Sequence, residues 1–86
     1  MKLVIVSPQN KYEFDVAWIE AYTPSGNVVI QEGHAPIIVT LVAGSDFSFF
    51  LPATHEKKII KLMRHGFLEV DRINALALLS QEMVEV

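Results

Sequence analysis

The chain has 86 residues, a formal net charge of −3 and no cysteine. This length holds one domain with a modest core. The missing thiols exclude a disulfide scaffold, thiolate metal sites and a cysteine nucleophile, and the acidic balance argues against a nucleic-acid partner, which calls for a basic surplus on one face.

Hydrophobic residues make up 51% of the chain, which excludes disorder and leaves open whether the surplus is core or partner surface. No apolar run approaches the roughly 18 residues of a membrane span. The opening Leu3-Val4-Ile5-Val6 is too short for a signal peptide. Residues 1–86 are therefore expected to form one soluble, cytosolic domain without membrane insertion.

Leu3 to Val6 is a continuous β-branched run closed by Ser7-Pro8-Gln9-Asn10, a short buried strand and a turn. Tyr12, Phe14, Val16 and Trp18 then alternate with Lys11, Glu13 and Asp15, giving one dry and one wet face. The alternation slips at Trp18-Ile19, which a β-bulge or strand bend explains. If the Trp18 ring is core, its truncation to alanine costs about 3–5 kcal/mol; a near-neutral effect places it on the surface. Thr23 to Asn27 is a turn by composition, and Val28-Val29-Ile30 a short strand. After the polar loop Gln31–Pro36 come β-rich runs at 37–42 and 47–51, and Phe67 to Val70 follows Gly66. Short apolar runs every 8–12 residues, separated by turn residues, define an all-β sandwich or barrel.

Two segments run against that pattern. Between Thr54 and Gly66 the basic residues Lys57, Lys58, Lys61, Arg64 and His65 fall on one side of a helical wheel, opposite Ile59, Ile60, Leu62 and Met63. Ala75 to Met83 consists largely of good helix formers. Local propensity favours a helix in both places.

Little here points to chemistry. His34, His55 and His65 match no zinc spacing, no serine sits in a nucleophile elbow, and the four glycines stand too far apart for a phosphate loop. No cofactor, metal or catalytic group is therefore expected. The basic stretch 57–64 reads as a solvated face in preference to a lipid-binding helix. The loop Glu32–Pro36 is the most informative segment. Gly33 permits a tight exposed turn, Pro36 stiffens its exit, and His34 is presented between them.

Gly33-His34-Ala35-Pro36 followed by an Ile/Val/Leu run resembles the Gly-His-Ala-Pro motif of ATP synthase epsilon subunits. Gly66-Phe67-Leu68-Glu69-Val70 resembles that family's Gly-Gly-Phe-Leu-Glu-Val segment, about thirty residues further on. Leu3 to Pro8 is similar to its Leu-x-Ile-Val-Thr-Pro opening, and Gly26 to Ile30 falls where the family has a Gly-Glu-(Phe/Leu)-Gly-Ile strand. These four anchors occur in the family's order and cover nearly the whole chain.

The resemblance implies the family's N-terminal domain, a flattened β-sandwich of about ten short strands, in which 57–63 and 73–79 are strands. Strands are the expectation adopted, because a sandwich needs them to close its sheets. It implies a non-catalytic central-stalk subunit of an F-type ATP synthase, held peripherally at the cytoplasmic face of a bacterial inner membrane. Its partners are then the gamma subunit and the polar loops of the c-ring, and its part is to pass rotation between them. The c-ring contact maps onto Asn27, Val29, Gln31, Glu32, Gly33 and His34.

Departures are also present. Asn27 stands where the family often has an acid, Arg64-His65-Gly66 replaces Ser-Gly-Gly, and Val42-Ala43-Gly44 replaces Lys-Pro-Gly. The sequence stops at Val86, where the family's inhibitory two-helix hairpin would begin, so inhibition by that hairpin is not expected. The competing readings are an unrelated β-sandwich module binding a protein or small ligand, and a small enzyme using His34 with a nearby acid.

Overall fold

The computed structural model describes residues 1–85. They form nine strands and no helix: β1 (Lys2–Val6), β2 (Lys11–Asp15), β3 (Trp18–Thr23), β4 (Gly26–Gln31), β5 (Ile37–Leu41), β6 (Asp46–Leu51), β7 (Glu56–Lys61), β8 (Gly66–Val70) and β9 (Asn74–Leu79). One sheet, A, has the order β2-β1-β9-β8-β5; the other, B, has the order β4-β3-β6-β7. Every pairing is antiparallel except β1 with β9, which runs parallel from Lys2 opposite Asn74 to Val6 opposite Leu78.

The period-two patterns put every second residue between the sheets. Leu3 and Ile5, Ile19 and Ala21, Phe47 and Phe49, and Ala75 and Ala77 are buried there with Ile30, Leu41, Ile60 and Leu68. Phe49 lies at the centre, its ring centroid 4.9 Å from Phe14 and 6.0 Å from Phe47. The structure is thus the all-β sandwich expected.

The slip near Trp18 proves to be a corner between the two sheets. β2 ends in sheet A at Asp15 and β3 begins in sheet B at Trp18. Buried Val16 fills the corner, its N–H donating to the Met1 carbonyl at 2.8 Å, and the Ala17 N–H donates to the Phe50 carbonyl at 2.9 Å. The turn reverses which parity faces inward. Ile19 becomes core, and Trp18 lies half-buried on the outer face of sheet B. There its ring stacks on Phe50 at 5.9 Å and 13°, with the Lys57 ammonium 5.7 Å from its centroid. Trp18 therefore does not continue the dry face that Tyr12 and Phe14 begin.

Both ambiguous segments are strands. β7 pairs with β6 along its full length, from Asp46 opposite Lys61 to Leu51 opposite Glu56. Ile59 and Ile60, neighbours on a helical wheel, point to opposite faces, and only Ile60 is fully buried. β9 is paired on both edges, by β1 and β8, so its helix propensity is overridden by two ladders. Gly66 opens β8 because nothing larger fits. A Cβ there would lie 2.8 Å from the Leu78 carbonyl oxygen and 3.1 Å from Leu79 Cδ2.

These positions separate sharply in stability. Phe49→Ala is expected to cost about 3–5 kcal/mol, as for a fully buried aromatic. Trp18→Ala is expected to cost about 1–2 kcal/mol, from stacking and partial burial alone. Urea denaturation of the two variants checks the order; equal losses would contradict the corner.

Candidate functional site: a partner-binding edge

β4 is an edge strand, paired only with β3, and its alternation divides its side chains cleanly. Ile30 is core, whereas Asn27, Val29 and Gln31 are exposed on the outer face of sheet B. The hairpin leading into it is tight. The Thr23 hydroxyl accepts from the Ser25 N–H at 3.1 Å and donates to the Gly26 carbonyl at 3.0 Å, while Gly26 takes a φ of 118°. Asn27 donates from Nδ2 to a Glu20 carboxylate oxygen at 3.0 Å, so the amide engages the acid beside it on β3.

Beyond β4 the chain turns outward through Glu32 and Gly33. Gly33 has a φ of 88°, in the left-handed region that disfavours a side chain. Its N–H donates to the Arg72 carbonyl at 2.7 Å, and the His34 N–H donates to the Gln31 carbonyl at 3.1 Å. His34 Nδ1 lies 2.6 Å from the Ala35 carbonyl oxygen, so that nitrogen carries the hydrogen and Nε2 is left toward solvent. The amino group of Met1 approaches Glu32 at 3.3 Å and Asp15 at 3.6 Å.

The loop is braced from the β8–β9 turn. The Asp71 carboxylate accepts from the Ile73 N–H at 2.8 Å and the Asn74 N–H at 2.7 Å. Those bonds, Ile73 first, hold its pKa below the ordinary 3.8. The same turn offers the Arg72 carbonyl to Gly33.

All six residues singled out from the sequence thus lie along one continuous strip. A shallow trough lined by Trp18, Glu20, Val29 and Gln31 adjoins another lined by Val29, Gln31, Glu32, Gly33 and His34. The histidines remain apart. His55 sits edge-on to Phe50 at 6.3 Å, and His65 Nδ1 accepts from the Ala43 N–H at 3.2 Å. Among the described residues no group of three His, Asp or Glu side chains is placed to hold a metal ion.

Sequence reasoning left a second surface unassigned. On the outer face of sheet A, Val6, Leu78 and Phe67 form one cross-strand row, and Val4 and Leu76 adjoin it. Ile38 on β5 is 73% exposed, Phe67 55% and Leu78 44%. Leu3-Val4-Ile5-Val6 and Ala75-Leu76-Ala77-Leu78-Leu79 are apolar on both faces, a pattern common in sheets covered on both sides, but it does not tell which face stays open.

The geometry is that of a β-sandwich with a polar edge and a turned loop on one sheet and an apolar face on the other. The chain belongs to the ATP synthase delta/epsilon chain family, whose β-sandwich domain matches residues 1–85. Its fold is similar to that of a chain in the Euglena gracilis mitochondrial ATP synthase, in an OSCP/F1/c-ring structure. The two share 19% identity at a TM-score of 0.82, over 96% of this chain and 51% of that one. It is similar also to a chain from the central stalk/c-ring of the Tetrahymena thermophila mitochondrial enzyme, at 16% identity and a TM-score of 0.71, over 98% of this chain and 65% of that one. The chain thus spans between half and two-thirds of the chains it matches. No curated protein sequence matches it at a significant level.

Two outcomes test this anatomy. Gly33→Ala is expected to cost about 1 kcal/mol through strain at positive φ while the fold persists, read by thermal unfolding and by faster hydrogen exchange at residue 33. Asp71 has a folded pKa below its unfolded one, so its contribution is complete above pH 3.8 and lost as pH falls through the lowered value. Asp71→Asn is therefore expected to destabilise at pH 7, with a penalty that shrinks as pH is lowered below 3.8. A penalty undiminished in acid would refute the carboxylate's role.

Proposed function

We propose that this chain is a central-stalk subunit of an F-type rotary ATP synthase, a mechanical part that couples a gamma-type shaft to a membrane-embedded c-ring. Family membership across residues 1–85 is the observation that carries the reading. The resemblance of the fold to chains within c-ring and central-stalk assemblies supports it.

A coupling between two partners needs two separate surfaces on a stiff body, and the sandwich has both. The polar strip of Asn27, Val29, Gln31, Glu32, Gly33 and His34 suits contact with polar loops, since edge backbone, amides and a loop histidine recognise by hydrogen bonding. The apolar face of Val6, Leu78, Phe67 and Ile38 suits a permanent partner, because obligate interfaces are the more hydrophobic ones. We assign the first to the c-ring and the second to gamma. In this role the domain sits peripherally to the membrane and carries torque, leaving nucleotide chemistry to other subunits. Among the described residues no helix is long and apolar enough to cross a membrane, as a peripheral part requires.

Co-expression with the gamma subunit from the same genome is expected to yield a stable one-to-one complex. Phe67→Asp is expected to abolish it, because a charge is buried without a partner. His34→Ala is expected to fold and bind gamma normally but to weaken assembly onto the ring. Absence of any complex, with both proteins folded, would replace this reading with that of a ligand-binding sandwich.

A further inference from the structure

Sheet B has a second free edge, opposite β4. β7 is its last strand, paired with β6 on one side only. Along an antiparallel strand, backbone N–H and C=O groups alternate in direction. The Lys61 N–H points away from β6 and donates to the Val84 carbonyl at 3.0 Å, and Glu85 forms an antiparallel bridge with Ile60. Val84 and Glu85 are therefore seated on this edge. The same edge continues through the outward backbone groups of Ile59 and Lys57, with no further strand beside it among the described residues.

The occupant's chemistry is visible in its contacts. The Glu85 carboxylate accepts from Lys58 Nζ at 3.2 Å. Lysines on an edge ordinarily deter strand addition, and a carboxylate on the incoming strand removes that barrier. Lys57, Lys58 and Lys61 all lie on β7. Their other neighbours are Glu56, 3.9 Å from Lys58, Asp46, 3.8 Å from Lys61, and the Trp18 ring below Lys57.

The seat is held shut by side chains just before it. Gln81 Oε1 accepts from the Arg64 N–H at 2.8 Å, and its Nε2 donates to the Lys61 carbonyl at 3.1 Å. Glu82 accepts from Asn10 Nδ2 at 2.7 Å, the Ser7 hydroxyl at 2.8 Å and the Gln9 N–H at 2.9 Å. Val84 and Glu85 themselves are exposed. Met83 packs against the core and anchors the approach, so only Val84 and Glu85, exposed and held by a few contacts, open at lower free energy than the whole domain.

We propose that the outer edge of β7 is a strand-addition site for an extended, acidic segment of a partner protein, which takes the place held here by Val84 and Glu85. The incoming strand runs antiparallel to β7 and places its carboxylates on one face, against Lys58 or, in the other parity, against Lys57 and Lys61, the β-augmentation mode of peptide recognition. The site lies across sheet B from β4 and does not depend on the stalk assignment.

The test uses the full chain and two synthetic peptides, one alternating valine and glutamate and one alternating valine and lysine, followed by amide chemical shifts. Glu85→Lys removes the pairing with Lys58 and frees the edge. In that variant the acidic peptide is expected to shift the Ile59 and Lys61 amides and to bind about tenfold more tightly than the basic one. Lys58→Glu is expected to erase the preference. The unmodified chain with excess acidic peptide gives a second measure, slower hydrogen exchange at Lys57 and Ile59. Equal affinity for both peptides, or shifts that bypass β7, would overturn the proposal. A concentration-dependent dimer of Glu85→Lys with these edge residues exchanged would overturn it in favour of a second copy as occupant.

Discussion

The pairing of β9 with β1 holds the architecture together. β1 brings the hairpin with β2, and β8 brings β5; only β9, lying between β1 and β8, makes one sheet of them. The two strands lie at opposite ends of the chain, with Lys2 opposite Asn74, and run parallel, so no hairpin brings them together locally. That pairing closes a loop of nearly the whole chain, an entropic cost that no local hairpin bears. It also buries Ala75 and Ala77 directly against the layer of sheet B that carries Phe47 and Phe49.

From that central strand the two working surfaces take their positions. The outward parity of β9 and β1 forms the apolar face, and the turn after β8, fixed by Asp71, supplies the carbonyl that pins Gly33. The loop with His34 is therefore not an appendage of β4. It is tied across to sheet A by one backbone bond, and movement of either sheet moves both surfaces together. In the proposed coupling role, such a cross-tie would limit backlash.

Much of this was legible in the residues. The alternation at 11–16, the turns rich in Gly, Pro and Asn, and the spacing of apolar runs specified an all-β sandwich. The strip from Asn27 to His34 came from the family resemblance and not from the residues' own pattern; it is contiguous in the structure because β4 is regular and Gly33 turns at its end. Three features were not legible. Trp18 continues the period of Tyr12 and Phe14 in sequence, but the corner at Val16 and Ala17 reverses inward parity, and no local signal distinguishes a sheet-to-sheet corner from a bulge. Lys57 to Arg64 matches a helical wheel locally because its lysines are spaced by one, three and four residues; the strand expected there came from the resemblance alone, and the ladder with β6 bears it out. The apolar face of sheet A was hidden because a strand apolar on both sides looks the same whether its outer face meets a partner or more of its own core.

The two margins of sheet B treat their charges differently. At the β7 margin Lys58 lies 3.2 Å from Glu85 and 3.9 Å from Glu56, and Lys61 lies 3.8 Å from Asp46, so the charges there cancel at short range. Beside β4, Glu20 meets the neutral Asn27 amide, and Glu32 shares the Met1 amino group with Asp15 of sheet A. The β4 margin is therefore the more negative of the two. A positively charged partner is drawn toward that margin before it touches, so early collisions favour it. Added salt shortens the reach of that pull to about 8 Å at physiological ionic strength. The charge imbalance thus governs how quickly a partner arrives more than how long it stays.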